Sequence, residues 1–253
     1  MRTPSFRLDG RRALVTGGSR GIGLAAAAAL AQAGAQVVLA ARTENDLKAA
    51  RQRIEADQPG AQVTLWTVDV TDSSAVRRGM AEHGPFHVVV NNAGTNRPAL
   101  ISDVADADLD DVIDLNVKAA FYVTREAVRL MRENSLRGSI INVSSQMGHV
   151  GGPKRTVYCA TKHAIEGFSK ALALELGPAS IRVNTICPTF IETEMTKDML
   201  NDPSFKEFVE SKIALGRMGR LEDIMGAVVF LAGDASAMIT GSAIMIDGGW
   251  TAA

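Results

Sequence analysis

The sequence predicts an α/β fold built on one parallel sheet, and two features of the chain lead to that prediction. Seven short apolar runs rich in β-branched residues recur along it, and longer helical patterns separate them. The runs are apolar almost without interruption, which indicates strands covered by helices on both faces. Right-handed connections make such a sheet doubly wound, so we expect a single Rossmann-type domain over residues 1–253.

Strands and helices alternate in the order that this fold requires. The predicted strands are Ala13–Thr16, Gln36–Ala40, Val63–Val68, Val88–Val90, Ser139–Val143, Arg182–Ile186 and Ala243–Ile246. The predicted helices are Leu24–Ala33, Glu44–Ala56, Ala75–Glu82, Leu109–Asn134, Val157–Leu176 and Glu222–Ala232. No internal repeat or linker interrupts this order, which favours one domain over two.

The segment Thr189–Gly219 departs from the alternation because its pattern contains no strand. Short amphipathic pieces, Glu194–Leu200 and Phe205–Ile213, stand there instead. The segment follows the sixth strand and so lies at the carboxyl edge of the sheet, where ligands bind in folds of this type. We therefore predict a small helical substrate lid over residues 189–219, with a static cap as the alternative.

Composition and charge exclude several classes of function. Apolar residues make up 46% of the chain and charged residues 22%, and the formal net charge is −1. These values are ordinary for a soluble globular protein and give no attraction to nucleic acid or to anionic membranes. Cys159 and Cys187 stand in no zinc-binding spacing, so no metal is expected. The first residues lack the apolar stretch of a signal peptide, and we expect a cytoplasmic protein.

The stretch Val15–Gly23, VTGGSRGIG, allows two interpretations. Ser19 fits the G-x-S-x-G pattern of a nucleophile on a strand-to-helix turn. The same glycines also fit a turn that cradles a phosphate at a helix N-terminus. A serine nucleophile needs an acid and a histidine downstream, and of the four histidines only His149 stands where a pocket could lie. The phosphate-binding turn is therefore favoured.

The end of the second strand bears on which dinucleotide such a turn binds. A carboxylate there would bind the adenosine ribose of NAD, but the position holds Ala41 and is followed by Arg42. Arg42 and Arg20 together could reach a 2′-phosphate, for which the planar guanidinium is suited. We therefore expect NADP(H), while Glu44 leaves NAD(H) open as the alternative.

Tyr158 and Lys162 are four residues apart in a predicted helix and so share one face of it. Ser145 lies in the loop after the fifth strand, at the same edge of the sheet. A tyrosine is a weak acid near neutral pH, and we expect the Lys162 cation to lower the pKa of Tyr158. With Ser145 holding the reacting oxygen, this arrangement predicts general acid/base catalysis of hydride transfer, for which a cofactor supplies the hydride.

These residues belong to a series of motifs that extends along the chain. In order the motifs are Thr16–Gly23, Asp69–Val70, Asn91–Gly94, Asn116–Val117, Ser144–Gly148, Tyr158–Lys162, Arg182–Asn184 and Ile246–Gly249. In these motifs the chain resembles the short-chain dehydrogenase/reductase family from about Leu8 to Gly249. The resemblance implies a catalytic tetrad of Asn116, Ser145, Tyr158 and Lys162. In it, Asn116 would hold a helix kink and a water of a proton relay.

The resemblance also implies which residues contact the cofactor. Asp69 and Val70 would contact the adenine, Lys162 the nicotinamide ribose, and Ile191 with Thr193 the nicotinamide amide. The full predicted set is Gly17, Ser19, Arg20, Gly21, Ile22, Gly23, Arg42, Asp69, Val70, Asn92, Ala93, Gly94, Tyr158, Lys162, Pro188, Ile191 and Thr193.

Two features concern the pocket for the substrate. Thr189 follows Pro188 where the family usually has glycine, and a β-branched residue disfavours positive φ, which puts the turn at the nicotinamide in question. The loop after the fifth strand should shape the pocket. Its residues Gln146, His149 and Lys154 are candidates for contacting a polar substrate.

Similar family members include 3-oxoacyl-(acyl carrier protein) reductases and dehydrogenases of sugars and sugar acids. The carrier-protein reductases receive an acidic partner on basic residues, but Leu136 and Ala179 stand at the matching positions, with Arg137 beside the first. A sugar, a sugar acid or another small polar hydroxy or keto compound is therefore the favoured substrate. The acyl carrier role is the alternative.

The resemblance further implies a homotetramer. The helices Leu109–Asn134 and Val157–Leu176 would pack across one interface, and the C-terminal strand would form another. A second class of function also stays open, namely a non-catalytic protein that senses a nucleotide on the same fold. Such a protein could dispense with the acid/base residues, all of which are present here.

Overall fold

The seven predicted strands form one parallel sheet in the computed structural model, which describes residues 1–194, 196 and 201–252. The strands are β1 (Arg12–Thr16), β2 (Gln36–Ala41), β3 (Val63–Thr67), β4 (Val88–Asn91), β5 (Gly138–Val143), β6 (Ile181–Pro188) and β7 (Ala243–Ile246). Their order in the sheet is β3-β2-β1-β4-β5-β6-β7. The prediction of a doubly wound α/β fold is confirmed.

Helices cover both faces of this sheet. Those formed by the described residues are α1 (Gly21–Gln32), α2 (Glu44–Asp57), α3 (Ser73–His83), α4 (Asp106–Ile113), α5 (Ala119–Glu133), α6 (Thr156–Leu176), α7 (Pro203–Lys212) and α8 (Leu221–Ala232). The predicted piece Glu194–Leu200 lies largely outside the described residues. Within the described part of the chain, no helix has the length and apolar character to cross a membrane.

The sheet has a hydrophobic core on each face because successive strand residues point in opposite directions. In β1, Val15 packs with Leu39 and with apolar residues of α1, α2 and α8. Its neighbour Leu14 packs on the other face, with Met80 of α3 and with residues of α5 and α6 such as Met131. The continuous apolar character of the central strands therefore reflects burial on both sides, whereas the edge strands β3 and β7 are only partly buried.

A single π turn, Asp114–Lys118, separates α4 from α5, so the helix predicted over Leu109–Asn134 is not uninterrupted. Across this turn the Ala119 N–H donates to the Asp114 carbonyl, five residues back instead of four. Asn116 lies in the middle of the turn and is buried. The expected helix kink is therefore a π bulge that places an amide inside the protein.

A buried chain of amides and hydroxyls joins the sheet to α5 and α6 near the carboxyl ends of β4 and β5. Asn91 Nδ2 donates to Asn142 Oδ1 at 2.8 Å and to Thr124 Oγ1 at 2.9 Å. Asn142 Nδ2 in turn donates to Ser169 Oγ at 2.8 Å. Hydrogen bonds between polar groups are costly to break in a low-dielectric interior. This hydrogen-bonded network therefore holds α5 and α6 beneath the edge of the sheet where ligands bind.

The chain between β6 and α8 is closed at its neck by a short parallel bridge. Ile191 pairs with Gly219, the Glu192 N–H donates to the Gly219 carbonyl at 2.9 Å, and the Gly219 N–H donates to the Phe190 carbonyl at 3.0 Å. The segment between these residues therefore leaves the sheet edge and returns to the same place.

Helix α7 occupies the place where the second amphipathic lid piece is predicted. The Asp202 carboxylate caps its N-terminus by accepting from the Ser204 N–H at 2.9 Å. Its Phe205 ring lies 5.7 Å from Phe190, and Phe190 lies 5.8 Å from Trp250 near the C-terminus. Phe190 and Phe205 of the lid segment thus form a small aromatic cluster with Trp250.

Candidate active site

A groove of about 500 Å³ opens at the carboxyl edge of the sheet, around the point where β1 and β4 send their connections to opposite faces. This switch point is the expected ligand site of a doubly wound sheet. The ends of the central strands form its floor, and lid residues such as Phe190 and Thr196 line another wall.

The glycine turn is held against the loop after β4 by one amide side chain. Asn92 Nδ2 donates to the Thr16 carbonyl at 3.0 Å and to the Gly17 carbonyl at 3.1 Å. Gly17 has φ +62°, and a Cβ there would lie 2.9 Å from Asn92 Nδ2 and 3.0 Å from Ala93 Cα. A Cβ on Gly23 would lie 2.2 Å from the Gly17 carbonyl oxygen. Only glycine allows these close approaches.

The N-terminus of α1 is available to an anion. Arg20 precedes the helix in an extended conformation, and no side chain caps the helix there. Gly21 and Ile22, in the first turn, line the groove together with Ser19. The free N–H groups and the positive end of the helix dipole therefore lie where a phosphate could bind.

Ser145, Tyr158 and Lys162 come together where β5 and β6 end. The Ser145 hydroxyl lies close enough to the Tyr158 phenol to favour its ionised form, and it donates to the Pro188 carbonyl at 3.4 Å. Ser145 Oγ also accepts from the Met147 N–H at 3.1 Å, which orients it. Lys162 Nζ lies 5.4 Å from the centroid of the Tyr158 ring and donates to the Val143 carbonyl at 2.8 Å. The groove thus contains a hydroxyl, a phenol and an ammonium in one group.

Burial governs the protonation of this group. It raises the pKa of Tyr158, while the nearby Ser145 hydroxyl and the positive charge of Arg155 act in the opposite direction. Burial lowers the pKa of Lys162 to about 8. The expectation that Lys162 lowers the pKa of Tyr158 is therefore wrong, because loss of water outweighs the nearby positive charge. The cation that acts on the phenol is Arg155.

Asn116 stands behind the groove and braces its back wall. Its Oδ1 accepts from the Thr95 N–H at 2.8 Å, and its Nδ2 donates to the Thr95 carbonyl at 2.9 Å and to Thr161 Oγ1 at 3.1 Å. Thr161 Oγ1 donates to the Tyr158 carbonyl at 2.8 Å. The π turn is thereby linked to the segment of α6 that carries the tyrosine.

Most of the predicted cofactor and substrate residues line the groove. These are Gly17, Ser19, Arg20, Gly21, Ile22, Arg42, Asp69, Val70, Asn92, Ala93, Gly94, Gln146, Pro188, Ile191 and Thr193, besides Tyr158 and Lys162. The predicted substrate contacts His149 and Lys154 are not among them. His149 Nε2 lies 3.4 Å from both Glu166 Oε1 and Cys187 Sγ, behind the groove, and Lys154 is exposed at a left-handed turn.

The charged residues Asp69, Arg42 and Arg20 line the groove near the end of β2, and each has different interaction partners. Burial raises the pKa of Asp69, but hydrogen bonds from Thr71 and the charge of Arg42 outweigh that effect and hold this pKa below its usual value. Arg42 itself lines the groove directly after β2. Arg20 Nη1 lies 3.7 Å from Glu194 Oε2, so this second arginine makes an exposed ion pair with the lid segment.

Four buried atoms on residues of the groove wall suggest that it takes a polar ligand. Asn96 Oδ1, Ser144 Oγ, Gln146 Oε1 and Thr189 Oγ1 have no hydrogen-bond partner among the described residues. Thr189 is not in the left-handed region, and its N–H donates to the Ile246 carbonyl at 3.1 Å, so the turn after Pro188 forms without glycine. Together with the glycine turn and the free helix N-terminus, these atoms fit a phosphate-bearing dinucleotide.

Arg155 is a groove residue that sequence reasoning missed. It stands immediately before α6, is 8% exposed, and lines the groove three residues before Tyr158. Burial lowers the pKa of its guanidinium, and the phenol lies within range of its charge. Its position just before the tyrosine helix is the only sequence signal that could have suggested it. A guanidinium here can pair with a carboxylate.

Comparisons with known proteins agree with this geometry. A family model described as Enoyl-(Acyl carrier protein) reductase matches residues 17–251. The chain is 38% identical over 250 residues to gluconate 5-dehydrogenase of Gluconobacter oxydans, covering 97% of this chain and 96% of the relative. It is 41% identical over 246 residues to 3-oxoacyl-[acyl-carrier-protein] reductase of Chlamydia trachomatis, covering 96% and 98%.

Solved structures of a dehydrogenase and a reductase are also similar to this chain along nearly its whole length. A gluconate 5-dehydrogenase from Burkholderia cenocepacia in complex with NADP and tartrate superposes with a TM-score of 0.93 at 32% identity, over 98% of each chain. A 3-oxoacyl (acyl-carrier-protein) reductase from Agrobacterium tumefaciens with NADP bound has a TM-score of 0.89 at 30% identity, over 96% of this chain and 95% of the other.

The close packing of Gly23 against the glycine turn predicts that replacing glycine by alanine has opposite effects on stability at Gly23 and at Gly226. We expect Gly23→Ala to lower the free energy of unfolding by about 1–3 kcal/mol, because its Cβ overlaps the turn. Gly226→Ala in α8, where a Cβ meets nothing within 4 Å, should raise it by up to about 1 kcal/mol. Urea unfolding measures both, and a Gly23→Ala variant as stable as the wild type would contradict the geometry.

Proposed function

This chain belongs to the short-chain dehydrogenase/reductase family of oxidoreductases, and from that premise we propose its reaction. It interconverts a secondary alcohol and a ketone with NADP(H), and its substrate is a sugar, a sugar acid or another small polar compound. The observation that carries this proposal is the grouping of Ser145, Tyr158 and Lys162 in the groove.

The residues of the groove supply the acid/base part of this reaction. NADP(H), when bound, supplies or accepts the hydride. In reduction, Ser145 holds the carbonyl oxygen and Tyr158, whose pKa burial raises above its usual value, donates its proton to that oxygen. In oxidation the tyrosine oxygen takes the proton from the alcohol, and the positive charge of Arg155 stabilises the phenolate. Asn116 keeps α6 in place behind them.

Support for NADP(H) over NAD(H) comes from the end of β2. Ala41 offers no carboxylate to a ribose, and Arg42 lines the groove beside it. Glu44 does not line the groove and pairs instead with Lys48 at 2.7 Å. We assign the 2′-phosphate to Arg42, and the pyrophosphate to the glycine turn and the N-terminus of α1.

Support for a sugar or sugar-acid substrate comes from the groove wall and from the relatives. Arg155 brings a buried positive charge beside Tyr158, and Gln146 Oε1 is buried without a partner. A related gluconate 5-dehydrogenase binds tartrate, a hydroxy acid. Leu136 and Ala179 pack against the core and offer no charge to an acidic carrier protein.

Two other functions remain to be tested against this one. The 41% identical relative and the exposed Arg137 favour a 3-oxoacyl-(acyl carrier protein) reductase. A nucleotide-sensing protein would bind NADPH without turnover. Assays of sugar acids, polyols, 3-oxoacyl thioesters and simple ketones with NADP(H) separate the three functions, since a sensor turns over none of them.

We propose a single-domain, cytoplasmic homotetramer. An exposed apolar patch on α5 and α6 supports the assembly: the Phe121 ring, 46% exposed, stacks on Phe168 at 3.9 Å, and Val128 and Leu172 border the same surface. Patches of this kind mark protein interfaces. Light scattering that finds a monomer would contradict the tetramer.

Removing the phenol tests the acid/base role. We expect Tyr158→Phe to lower turnover by about 10²–10⁴-fold, because the phenol is the group that transfers the proton in the proposed reaction, and to leave NADPH binding nearly intact. The matched control is Tyr122→Phe, since Tyr122 lies on α5 and does not line the groove. Steady-state kinetics and NADPH fluorescence titration measure the two effects. If Tyr158→Phe keeps most of its activity, the mechanism is wrong.

Cofactor choice depends on one guanidinium. We expect Arg42→Ala to weaken NADPH binding by about 10–100-fold, the effect of losing charged hydrogen bonds to a phosphate, and to change NADH binding little. Arg53→Ala serves as control because Arg53 is exposed on α2 and lies outside the groove. Equal losses for both cofactors in a titration would mean that Arg42 does not hold the phosphate.

The substrate assignment predicts a difference between charged and neutral substrates. We expect Arg155→Gln to raise the KM of a sugar acid by about tenfold or more, because a carboxylate loses its charged partner, and to raise that of a neutral polyol much less. The control is Lys154→Gln, which removes the neighbouring cation. Because Lys154 does not line the groove, this variant should change neither KM. Equal changes in the two KM values would argue against carboxylate recognition by Arg155.

A further inference from the structure

Behind the groove, a histidine, a glutamate and a cysteine from three elements meet at one point. His149 follows the turn after β5, Glu166 lies on α6, and Cys187 is near the end of β6. His149 Nε2 is 3.4 Å from Glu166 Oε1 and 3.4 Å from Cys187 Sγ, and Cys187 Sγ is 3.3 Å from Glu166 Oε1. The three atoms form a nearly equilateral triangle, although their residues are far apart in the sequence.

From this triangle we propose a binding site for a thiophilic divalent cation of the zinc class, with His149, Glu166 and Cys187 as ligands. A tetrahedral zinc ion, bound to sulfur at about 2.3 Å and to nitrogen and oxygen at about 2.0–2.2 Å, keeps its ligand atoms roughly 3.3–3.6 Å apart. The three measured distances match that spacing closely. The imidazole and thiolate also select zinc over magnesium or calcium, which prefer all-oxygen sites.

Neighbouring groups orient the ligands and leave a fourth position. Thr185 Oγ1 donates to Glu166 Oε2 at 3.0 Å, which leaves Oε1 facing the histidine and the cysteine. The buried Ser144 hydroxyl lies close to Cys187, and its oxygen has no well-formed hydrogen bond among the described residues. This oxygen, or a water that it binds, can complete a tetrahedral shell.

A glycine allows the turn that carries His149 to approach α6. A Cβ on Gly148 would lie 2.8 Å from Ser144 Oγ, 3.1 Å from the Lys162 carbonyl oxygen and 3.2 Å from Glu166 Cγ. Any side chain there would separate the histidine's turn from the glutamate. The close packing that forms the triangle therefore depends on this one residue.

The site has an entry path and a balanced binding step. Glu166 and Cys187 are buried, but the His149 side chain is 29% exposed, so a cation can enter past the imidazole. On binding, the Cys187 S–H bond breaks, a sulfur–metal bond forms, and the proton leaves to solvent. The two charges of the cation are then balanced by one thiolate and one carboxylate, which makes a neutral buried cluster.

Cobalt is the probe that distinguishes this site from a trio held by hydrogen bonds alone. We titrate the metal-free full-length protein with Co²⁺ and record its absorption spectrum. We expect one equivalent of Co²⁺ to produce a thiolate-to-cobalt charge-transfer band together with the intense visible bands of a four-coordinate ion. Zn²⁺ added afterwards should displace the cobalt and remove both features.

Matched variants identify the ligands. Cys187→Ala should abolish the charge-transfer band, while Cys159→Ala, which removes the other cysteine, should keep it. His149→Ala should weaken cobalt binding by about tenfold or more, since even the loss of a group that only supports a ligand costs that much. His163→Ala, an exposed histidine on α6, should leave binding unchanged.

Three outcomes would overturn the proposal. They are cobalt binding without a thiolate band, a band that survives in Cys187→Ala, and a band that is lost in Cys159→Ala. Any of them would mean that the three side chains form only a hydrogen-bonded cluster. The readout does not require turnover, so it stands independently of the reaction proposed above.

Discussion

The groove depends on one contact between two loops that leave the sheet in opposite directions. β1 and β4 are neighbours, and the Asn92 amide holds the loop after β4 to the carbonyls of Thr16 and Gly17. A Cβ at Gly17 or Gly23 would overlap this amide. The contact therefore sets how near α1 comes to the turn, and so whether the positive end of that helix can face a phosphate.

At the end of the groove that holds Tyr158 and Lys162, desolvation is the largest influence on the pKa values. It raises the pKa of Tyr158 and lowers that of Lys162, so it favours the neutral form of both. At Tyr158, the Ser145 hydroxyl and the Arg155 guanidinium oppose this effect of desolvation on the pKa. In the proposed reaction these two also face the substrate. The same groups that orient the substrate would therefore also adjust the acidity of the phenol.

Comparison of sequence and structure shows which features a local pattern can predict. The predicted strand ends differ from the observed ones by at most two residues, because parallel strands buried on both faces carry an unmistakable apolar run. The π turn around Asn116 was implied only by family resemblance, since the sequence on both sides of the added residue has a helical pattern. Arg155 was missed because an arginine before a helix gives no sign of burial.

By itself, the sequence determined the order of the elements, the glycine turn and the residue types available for catalysis, because these depend on local periodicity and on spacing along the chain. Only the tertiary structure decided which groups lose water and which distant residues meet. It raised the pKa of the Tyr158 phenol, placed Arg155 in the groove, and turned His149 towards Glu166 and Cys187. Desolvation and contacts between separate segments arise only when the segments pack together.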